Sequence, residues 1–197
     1  MSVTCWVIIP AKAPAEAKGR LADVLDADAR AGLARAMLAR AVEAASGAAN
    51  FALVGTSRLG QSNTIELLPE PEGGLNAAVS SARETVAARG ASRIVTLAGD
   101  LPQVISDDVK ALAELPPGVI GIAPDRHGTG TNALSLPLPE ALGFIYAYGP
   151  GSCAKHKAEA ARLGLTMREI ITPGLARDID EPADLADAQA LLAALEG

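Results

Sequence analysis

Cysteine and aromatic residues are scarce in this sequence. Its 197 residues include two cysteines, one tryptophan, two tyrosines and two phenylalanines. Cys5 and Cys153 lie far apart and form neither a disulfide framework nor a CxxC metal motif, so we expect two reduced thiols, as in cytosolic proteins. So few aromatic rings also offer no series of platforms on which the bases of a nucleic acid could stack.

Basic charge and long hydrophobic runs are also lacking. The formal net charge is -6, and no block of lysine and arginine is present that could replace counterions along a phosphate backbone. The apolar stretches are shorter than the roughly 20 residues that span a bilayer, and the first residues do not resemble a signal peptide. The sequence therefore predicts a cytoplasmic protein with no nucleic-acid partner and no membrane partner.

The sequence does contain enough apolar material for one hydrophobic core. Hydrophobic residues make up 49% of the chain, and a chain of this length normally forms one domain, here residues 1–197. Short apolar runs alternate with alanine-rich segments, which predicts strands over 5–9, 51–54, 64–68, 93–98, 119–123 and 165–171, and helices over 26–45, 75–89, 106–115, 152–163 and 182–195.

This alternation of strands and helices predicts an α/β fold: a single-domain, doubly wound, mostly parallel sheet. Asp26 and Ser106 are the predicted N-cap residues of the first and third helices. Residues 133–136 are predicted to form an edge strand, because Pro137 cannot donate to a sheet ladder. Ligands of such sheets bind beyond the carboxyl ends of the strands, so functional residues are expected in the loops over 10–21, 99–102, 124–132 and 174–181.

Three cations lie in the loop after the first strand. Lys12, Lys18 and Arg20 fall within nine residues of one another. At a strand end of an acidic protein they suggest an anion site, most simply for phosphates, with a solvated basic loop as the alternative. The loop matches neither the Walker A motif nor the Rossmann fingerprint.

Three aspartates also follow predicted strands. Asp100 comes directly after a buried run, and Asp178 and Asp180 flank Ile179, so that in an extended chain they share a face. Asp100 with one of the other two could hold a divalent cation, since Mg²⁺ often binds one or two carboxylates and the phosphates of a substrate. The alternative is that Asp180 caps the last helix.

Two polar, glycine-rich turns lie at 129–132 and 148–152. The second leads into a helix at Ser152, whose hydroxyl and backbone N–H groups suit an anion, although simple turn chemistry is the alternative. His127 and His156 have no metal ligands at the usual spacing, so both are expected to be ordinary surface histidines. Cys153 is expected to be a small helix residue.

Eight segments occur in order over nearly the whole chain: VIIPAK at 7–12, AKGRL at 17–21, GLNAA at 74–78, GDLP at 99–102, APDR at 123–126, GTGTNAL at 128–134, GPGS at 149–152 with His156, and DIDEPADL at 178–185. Together they resemble the 2-phospho-L-lactate guanylyltransferase family, which is similar to the molybdenum-cofactor guanylyltransferases. Glu181 stands where the family usually has threonine, so the choice between Asp178 and Asp180 as metal ligand stays open.

The resemblance implies a nucleotide-diphospho-sugar transferase type of fold and an activity. GMP would pass from GTP to a small phosphorylated acid, with release of pyrophosphate, in the biosynthesis of coenzyme F-420. The acid is phosphoenolpyruvate, 2-phospho-L-lactate or 3-phospho-D-glycerate. With so few aromatic rings, we expect guanine to be recognised mostly by backbone groups and small side chains.

The resemblance also implies roles for individual residues. Asp100, Asp178 and Asp180 would bind Mg²⁺. The catalytic residues would be Lys12, Lys18 and Arg20, facing the triphosphate. The nucleotide would also lie near Gly74, Leu75 and Asn76. The phosphorylated acid would contact Thr131, Gly149 and Ser152.

Two other functions are compatible with the same fold. One is a related molybdopterin or sugar nucleotidyltransferase, against which the GTGTNAL and GPGS segments argue. The other is a non-catalytic regulatory protein, against which the presence of Lys12, Lys18, Asp100 and Asp180 argues. A homodimer is compatible with the alanine-rich helices, which could pack on a sheet or on another subunit.

Overall fold

Seven strands form one sheet in the part of the chain that the structure describes. The computed structural model describes residues 4–11, 21–189, 191 and 193. The order of strands across the sheet is β3-β2-β1-β4-β6-β5-β7. β6 is antiparallel to β4 and β5, and the other paired strands are parallel. The strands are β1 (Cys5–Ala11), β2 (Asn50–Gly55), β3 (Leu67–Leu68), β4 (Arg93–Leu97), β5 (Val119–Pro124), β6 (Thr131–Pro137) and β7 (Thr166–Glu169).

Helices connect these strands and cover the sheet. They are α1 (Ala27–Ser46), α2 (Gly74–Ala88), α3 (Ser106–Ala113), α4 (Ser152–Arg162), the short α5 (Pro173–Ala176) and a 3-10 helix over Pro182–Ala188. Among the described residues no helix is both long enough and apolar enough to cross a membrane.

The two faces of the sheet pack against different helices. Val7 and Ile9 of β1 share a buried cluster with residues of α1 and α3, whereas Ile8 between them shares another with residues of α2 and α4. Successive side chains of a strand point to opposite faces, so β1 is covered on both sides. The predicted α/β fold with a doubly wound, mostly parallel sheet is confirmed, and its span over all of 1–197 stays a prediction.

The structure confirms one of the two predicted helix N-cap residues. The Asp26 carboxylate accepts a hydrogen bond of 2.8 Å from the backbone N–H of Ala29, as expected of an N-cap. The prediction for Ser106 is wrong, because the N-cap is Ile105 and Ser106 is the first helical residue. The Asp108 carboxylate instead accepts from the backbone N–H of Ile105 at 2.9 Å.

The predicted edge strand is instead a central one, so that prediction is wrong. β6 lies between β4 and β5, and all seven of its residues are buried. Pro137 does not break the ladder because it pairs with Arg93 at the end of the strand. Directly after it, the backbone N–H of Leu138 donates to the carbonyl of Ser92 at 2.9 Å.

Three smaller segments also differ from prediction. The strand predicted over 64–68 is only Leu67–Leu68, because the Ser62 hydroxyl accepts from the backbone N–H of Thr64 and favours a local turn. The strand predicted over 165–171 is Thr166–Glu169. The last predicted helix begins as the 3-10 helix Pro182–Ala188, in which the backbone N–H of Asp184 donates to the carbonyl of Glu181, three residues back.

A buried arginine joins three parts of the sheet. Arg93 at the start of β4 is 2% exposed. Its guanidinium donates to the Ser135 hydroxyl of β6 at 2.8 Å and to the carbonyls of Leu115, Pro116 and Val119 before and in β5, at 3.1, 2.9 and 3.1 Å. Burial lowers the pKa of Arg93, and the four acceptors offset the cost of burying its charge.

We expect Arg93→Met to destabilise the fold by about 3 kcal/mol, because it leaves buried carbonyls without their charged donor. Urea unfolding at neutral pH measures this loss. Arg168→Met is the matched control, because Arg168 is exposed on β7. Equal unfolding midpoints for the two variants would contradict the structural role of Arg93.

Candidate active site

A cavity of about 370 Å³ opens at the carboxyl edge of the sheet. The ends of β1 and β4 and the beginning of β6 surround it. Because β6 is antiparallel, its first residues lie where β4 ends, and the backbone N–H of Ala98 donates to the carbonyl of Asn132 at 2.8 Å. The lining residues are Pro10, Ala11, Ala34, Met37, Leu38, Leu59, Leu75, Thr96, Leu97, Ala98, Gly99, Asp100, Thr131, Asn132, Tyr148 and Asp180.

The structure brings the three predicted metal ligands together. The backbone N–H of Ile179 donates to the carbonyl of Asp100 at 3.3 Å, and Ile179 is fully buried in a cluster with Leu21 and Met37. This anchor places the residues on either side of Ile179 next to the end of β4. Asp100 and Asp180 both line the cavity.

Asp178 is held beside them by an amide side chain. The Asn132 amide nitrogen donates to the carboxylate of Asp178 at 3.4 Å and to the carbonyl of Leu175 at 2.9 Å. Burial, and then the negative charges of Asp100 and Asp180, raise the pKa of Asp178. The Asp178 carboxylate is therefore repelled by both of these neighbours, and a bound cation would relieve that repulsion.

This donor set fits a magnesium ion. Carboxylate oxygens are the ligands that Mg²⁺ prefers, and the ion usually keeps water and phosphate oxygens as further ligands. Over the described ranges no group of three or more His, Cys, Asp or Glu side chains is close enough to hold a metal by itself. The carboxylates here would thus supply part of a coordination shell, and a substrate would complete it.

An ion pair fixes the segment that carries Asp180. The Asp184 carboxylate accepts from the backbone N–H groups of Asp180 and Glu181, at 2.8 Å each. It also pairs with Arg126 in the loop between β5 and β6. The alternative that Asp180 caps the last helix is wrong, because the N-cap residue is Glu181.

Of the three predicted acid-binding residues, Thr131 lines the cavity directly. Thr131 begins β6 and lines the cavity, and the Ser152 hydroxyl at the start of α4 donates to the Thr131 hydroxyl at 3.2 Å. Ser152 is buried, whereas Gly149, in the left-handed region with φ 122°, is exposed. The structure thus joins Thr131 to Ser152, and the acid-binding roles of these two residues and of Gly149 stay predictions.

His156 is not a surface residue, so that prediction is wrong. Its ring is fully buried, with Nδ1 at 3.0 Å from the Thr131 hydroxyl and Nε2 accepting from the backbone N–H of Ala147 at 3.0 Å. Burial lowers the pKa of His156 to about 4. The histidine is therefore neutral at physiological pH. His127 is exposed, as expected.

The predicted nucleotide-binding residues are at the start of α2. Gly73 and Gly74 have φ values of 111° and 70°, which glycine adopts readily. Leu75 lines the cavity. Both polar atoms of the Asn76 side chain bond to the backbone of Tyr148, at 2.8 and 3.2 Å, which fixes the tyrosine at the cavity wall. Contact of Gly74, Leu75 and Asn76 with a nucleotide stays a prediction.

The three predicted catalytic cations, Lys12, Lys18 and Arg20, lie outside the described residues. The described residues on either side of them are Ala11 at the end of β1, which lines the cavity, and Leu21 in the cluster that contains Ile179.

Comparison with known proteins agrees with this geometry. The sequence profile described as "Guanylyl transferase CofC like" matches residues 5–190. The chain belongs to this family. It is therefore an enzyme, a nucleotidyltransferase of the guanylyltransferase type, and the predicted family is confirmed.

Curated relatives are named phosphoenolpyruvate guanylyltransferases, a name that also specifies the acceptor acid. Phosphoenolpyruvate guanylyltransferase from Chloroflexus aurantiacus is 38% identical over 185 residues, covering 89% of each chain. The protein of that name from Sphaerobacter thermophilus is 37% identical over 194 residues, covering 94% of this chain and 92% of the relative.

Solved structures confirm the predicted type of fold. A protein from Desulfovibrio desulfuricans, provisionally described as a nucleotide-diphospho-sugar transferase, superposes with a TM-score of 0.75 at 15% identity, covering 98% of each chain. A nucleotidyl transferase from Methanothermobacter superposes with a TM-score of 0.66 at 16% identity, covering 98% of this chain and 100% of that one.

Sequence reasoning missed several residues around the site. Asn132 lies within the GTGTNAL segment, and its hydrogen bonds to Asp178 and Leu175 are visible only in the structure. Tyr148, the first residue of the turn at 148–152, and Thr96 line the cavity and bond to each other through their hydroxyls, and the sequence predicts no role for either. The pairing of Arg126 with Asp184 joins two family segments, and only their spatial proximity shows it.

The buried His156 predicts a dependence of stability on pH. Its pKa is about 4 in the folded protein and about 6.5 when unfolded. Between these values the unfolded chain binds the proton and the folded chain does not, so stability should fall as the pH is lowered from about 6.5 to about 4. Urea unfolding of the protein and of His156→Gln over this range measures the effect. The stability difference between them should shrink at low pH, and a constant difference would contradict the assignment.

Proposed function

We propose that this enzyme transfers GMP from GTP to phosphoenolpyruvate and releases pyrophosphate, as a step in the biosynthesis of coenzyme F-420. Family membership and the names of the curated relatives support the nucleotide and the acid. The observation that carries the proposal is the meeting of Asp100, Asp180 and Thr131 at one cavity at the carboxyl edge of the sheet.

The reaction needs positioning and neutralisation of charge rather than a base. A phosphate oxygen of phosphoenolpyruvate attacks the α-phosphorus of GTP; one P–O bond forms and the bond to the β-phosphate oxygen breaks, so that pyrophosphate leaves. The attacking oxygen is already ionised at neutral pH. His156 is unsuited to act as a base, because both its ring nitrogens are engaged in hydrogen bonds.

Each side of the cavity then has a role. Asp100, Asp178 and Asp180 would supply carboxylate ligands to Mg²⁺, which would neutralise phosphate charge and align the phosphates. Lys12, Lys18 and Arg20 neutralise the triphosphate, and Gly74, Leu75 and Asn76 lie along the nucleotide. Thr131 contacts the acid, Ser152 acts through its hydrogen bond to the Thr131 hydroxyl, and Gly149 lies beside them, where the N-terminus of α4 favours negative charge.

We expect pyrophosphate release with Mg²⁺, GTP and phosphoenolpyruvate, and slower release with 2-phospho-L-lactate or 3-phospho-D-glycerate. ATP and CTP should support little release with any acid. The assay includes the next enzyme that consumes the product, in case the product is labile. A preference for another acid would correct the acceptor only, whereas equal use of ATP or CTP would contradict the proposed nucleotide.

Asp100→Asn should lower kcat/KM on the order of 10²-fold or more. It removes the negative charge of a proposed Mg²⁺ ligand without changing the size of the side chain. Steady-state assays over a range of Mg²⁺ concentrations, with Asp178→Asn and Asp180→Asn in parallel, also show which of the latter two weakens the apparent Mg²⁺ affinity more.

Asp107→Asn is the matched control, because Asp107 is exposed on α3 and pairs with Lys110 of the same helix. Its activity should equal that of the unaltered protein. Near wild-type turnover by Asp100→Asn, with the same melting temperature, would contradict the metal assignment.

A further inference from the structure

His156 lies behind Thr131, the predicted acid-binding residue that lines the cavity. It is on the second turn of α4 and fully buried. Its ring packs edge-on against Tyr148, with ring centroids 4.9 Å apart and planes at 74°, and near Phe144 at 5.8 Å. These neighbours fix the orientation of the ring.

The hydrogen bonds of His156 determine which ring nitrogen carries the proton. The backbone N–H of Ala147 can only donate, so Nε2 at 3.0 Å must accept and carries no hydrogen. In a neutral imidazole the hydrogen is then on Nδ1, which lies 3.0 Å from the Thr131 hydroxyl oxygen. His156 therefore donates to Thr131.

Thr131 accepts a second hydrogen bond on the same oxygen. The Ser152 hydroxyl donates to it at 3.2 Å. A hydroxyl oxygen has two lone pairs and one hydrogen. With both lone pairs engaged from the buried side, the hydroxyl of Thr131 can act toward the cavity only as a donor. Thr131 lines that cavity together with Asp100 and Asn132.

We propose that His156 is a positioning residue for the acceptor substrate: with Ser152 it holds the Thr131 hydroxyl as a donor directed at an anionic oxygen of the phosphorylated acid. This role rests on the proposed function. A Thr131 hydroxyl held in this way selects acids that present an ionised oxygen as a hydrogen-bond acceptor. His156 does not contribute to GTP binding.

Two amide substitutions separate the two hydrogen bonds of His156. The amide nitrogen of His156→Asn falls near the place of Nδ1 and can still donate to Thr131. The amide oxygen of His156→Gln falls near the place of Nε2 and can still accept from Ala147. Each variant keeps one bond and loses one, so a purely structural role predicts similar losses of activity and melting temperature for both.

The measurement is the KM for phosphoenolpyruvate and for GTP, by pyrophosphate release, in the full-length protein. His156→Gln should raise the KM for the acid by about tenfold, the effect of losing one well-placed hydrogen bond. The same variant should leave the KM for GTP unchanged. His156→Asn keeps the donor to Thr131, so its KM for each substrate should stay within about threefold of the value for the unaltered protein.

A double-mutant cycle shows whether His156 acts through Thr131. Thr131→Val removes the hydroxyl at nearly constant shape and should raise the KM for the acid. Adding His156→Gln to Thr131→Val should raise it no further, because the hydroxyl that His156 orients is gone. Additive effects, or equal effects of His156→Asn and His156→Gln, overturn the proposal.

Nitrogen-15 NMR of the unaltered protein tests the same point without a variant. The His156 signals should show hydrogen on Nδ1, and the Nδ1 resonance should shift on addition of phosphoenolpyruvate more than on addition of GTP. Hydrogen on Nε2 overturns the proposal even if turnover is normal. If the unaltered protein does not turn over GTP with any of the three acids, the proposed function is overturned, and this role of His156 with it. If the protein uses another of these acids, the KM measurements are made with that acid.

Discussion

The antiparallel direction of β6 is the constraint on which the site depends. β1 and β4 end at the cavity, and β6 begins there, so Thr131 and Asn132 face the end of β4 across one ladder. A strand of this length spans roughly 20 Å. If β6 ran parallel to β4, its first residues would lie at the opposite edge of the sheet, and neither the amide that holds Asp178 nor the hydroxyl that faces the cavity would be near Asp100.

The fold places Asp178 near the negative charges of Asp100 and Asp180. Other contacts must hold these residues in place against that repulsion. The buried Ile179 and its hydrogen bond to Asp100 hold the segment in place, and the pairing of Arg126 with Asp184 fixes its far end. Burial first, and then the charges of Asp100 and Asp180, raise the pKa of Asp178, so that its ionised form is disfavoured there. Groups that oppose folding in this way are typical of sites that bind a cation or charged substrate.

The few aromatic residues are concentrated beside this site. Phe144, Tyr146 and Tyr148 lie within five residues of one another, and rings of all three pack in one group with His156. They exclude water from the hydrogen bonds of His156, which strengthens those bonds in the low local dielectric. A chain poor in aromatic rings thus uses most of them to fix polar groups around the cavity.

Local patterns in the sequence determined the alternation of strands and helices, the fold class, the cap at Asp26, the aspartate after β4 and the family segments, because each depends on residues close together in the chain. Only the tertiary structure decided the central place of β6, the burial of His156 and the partners of Asn76 and Arg126. Those contacts join residues 25 to 72 positions apart. Strand pairing and burial across such separations depend on how whole elements pack, and the neighbours of a residue in sequence carry no signal of it.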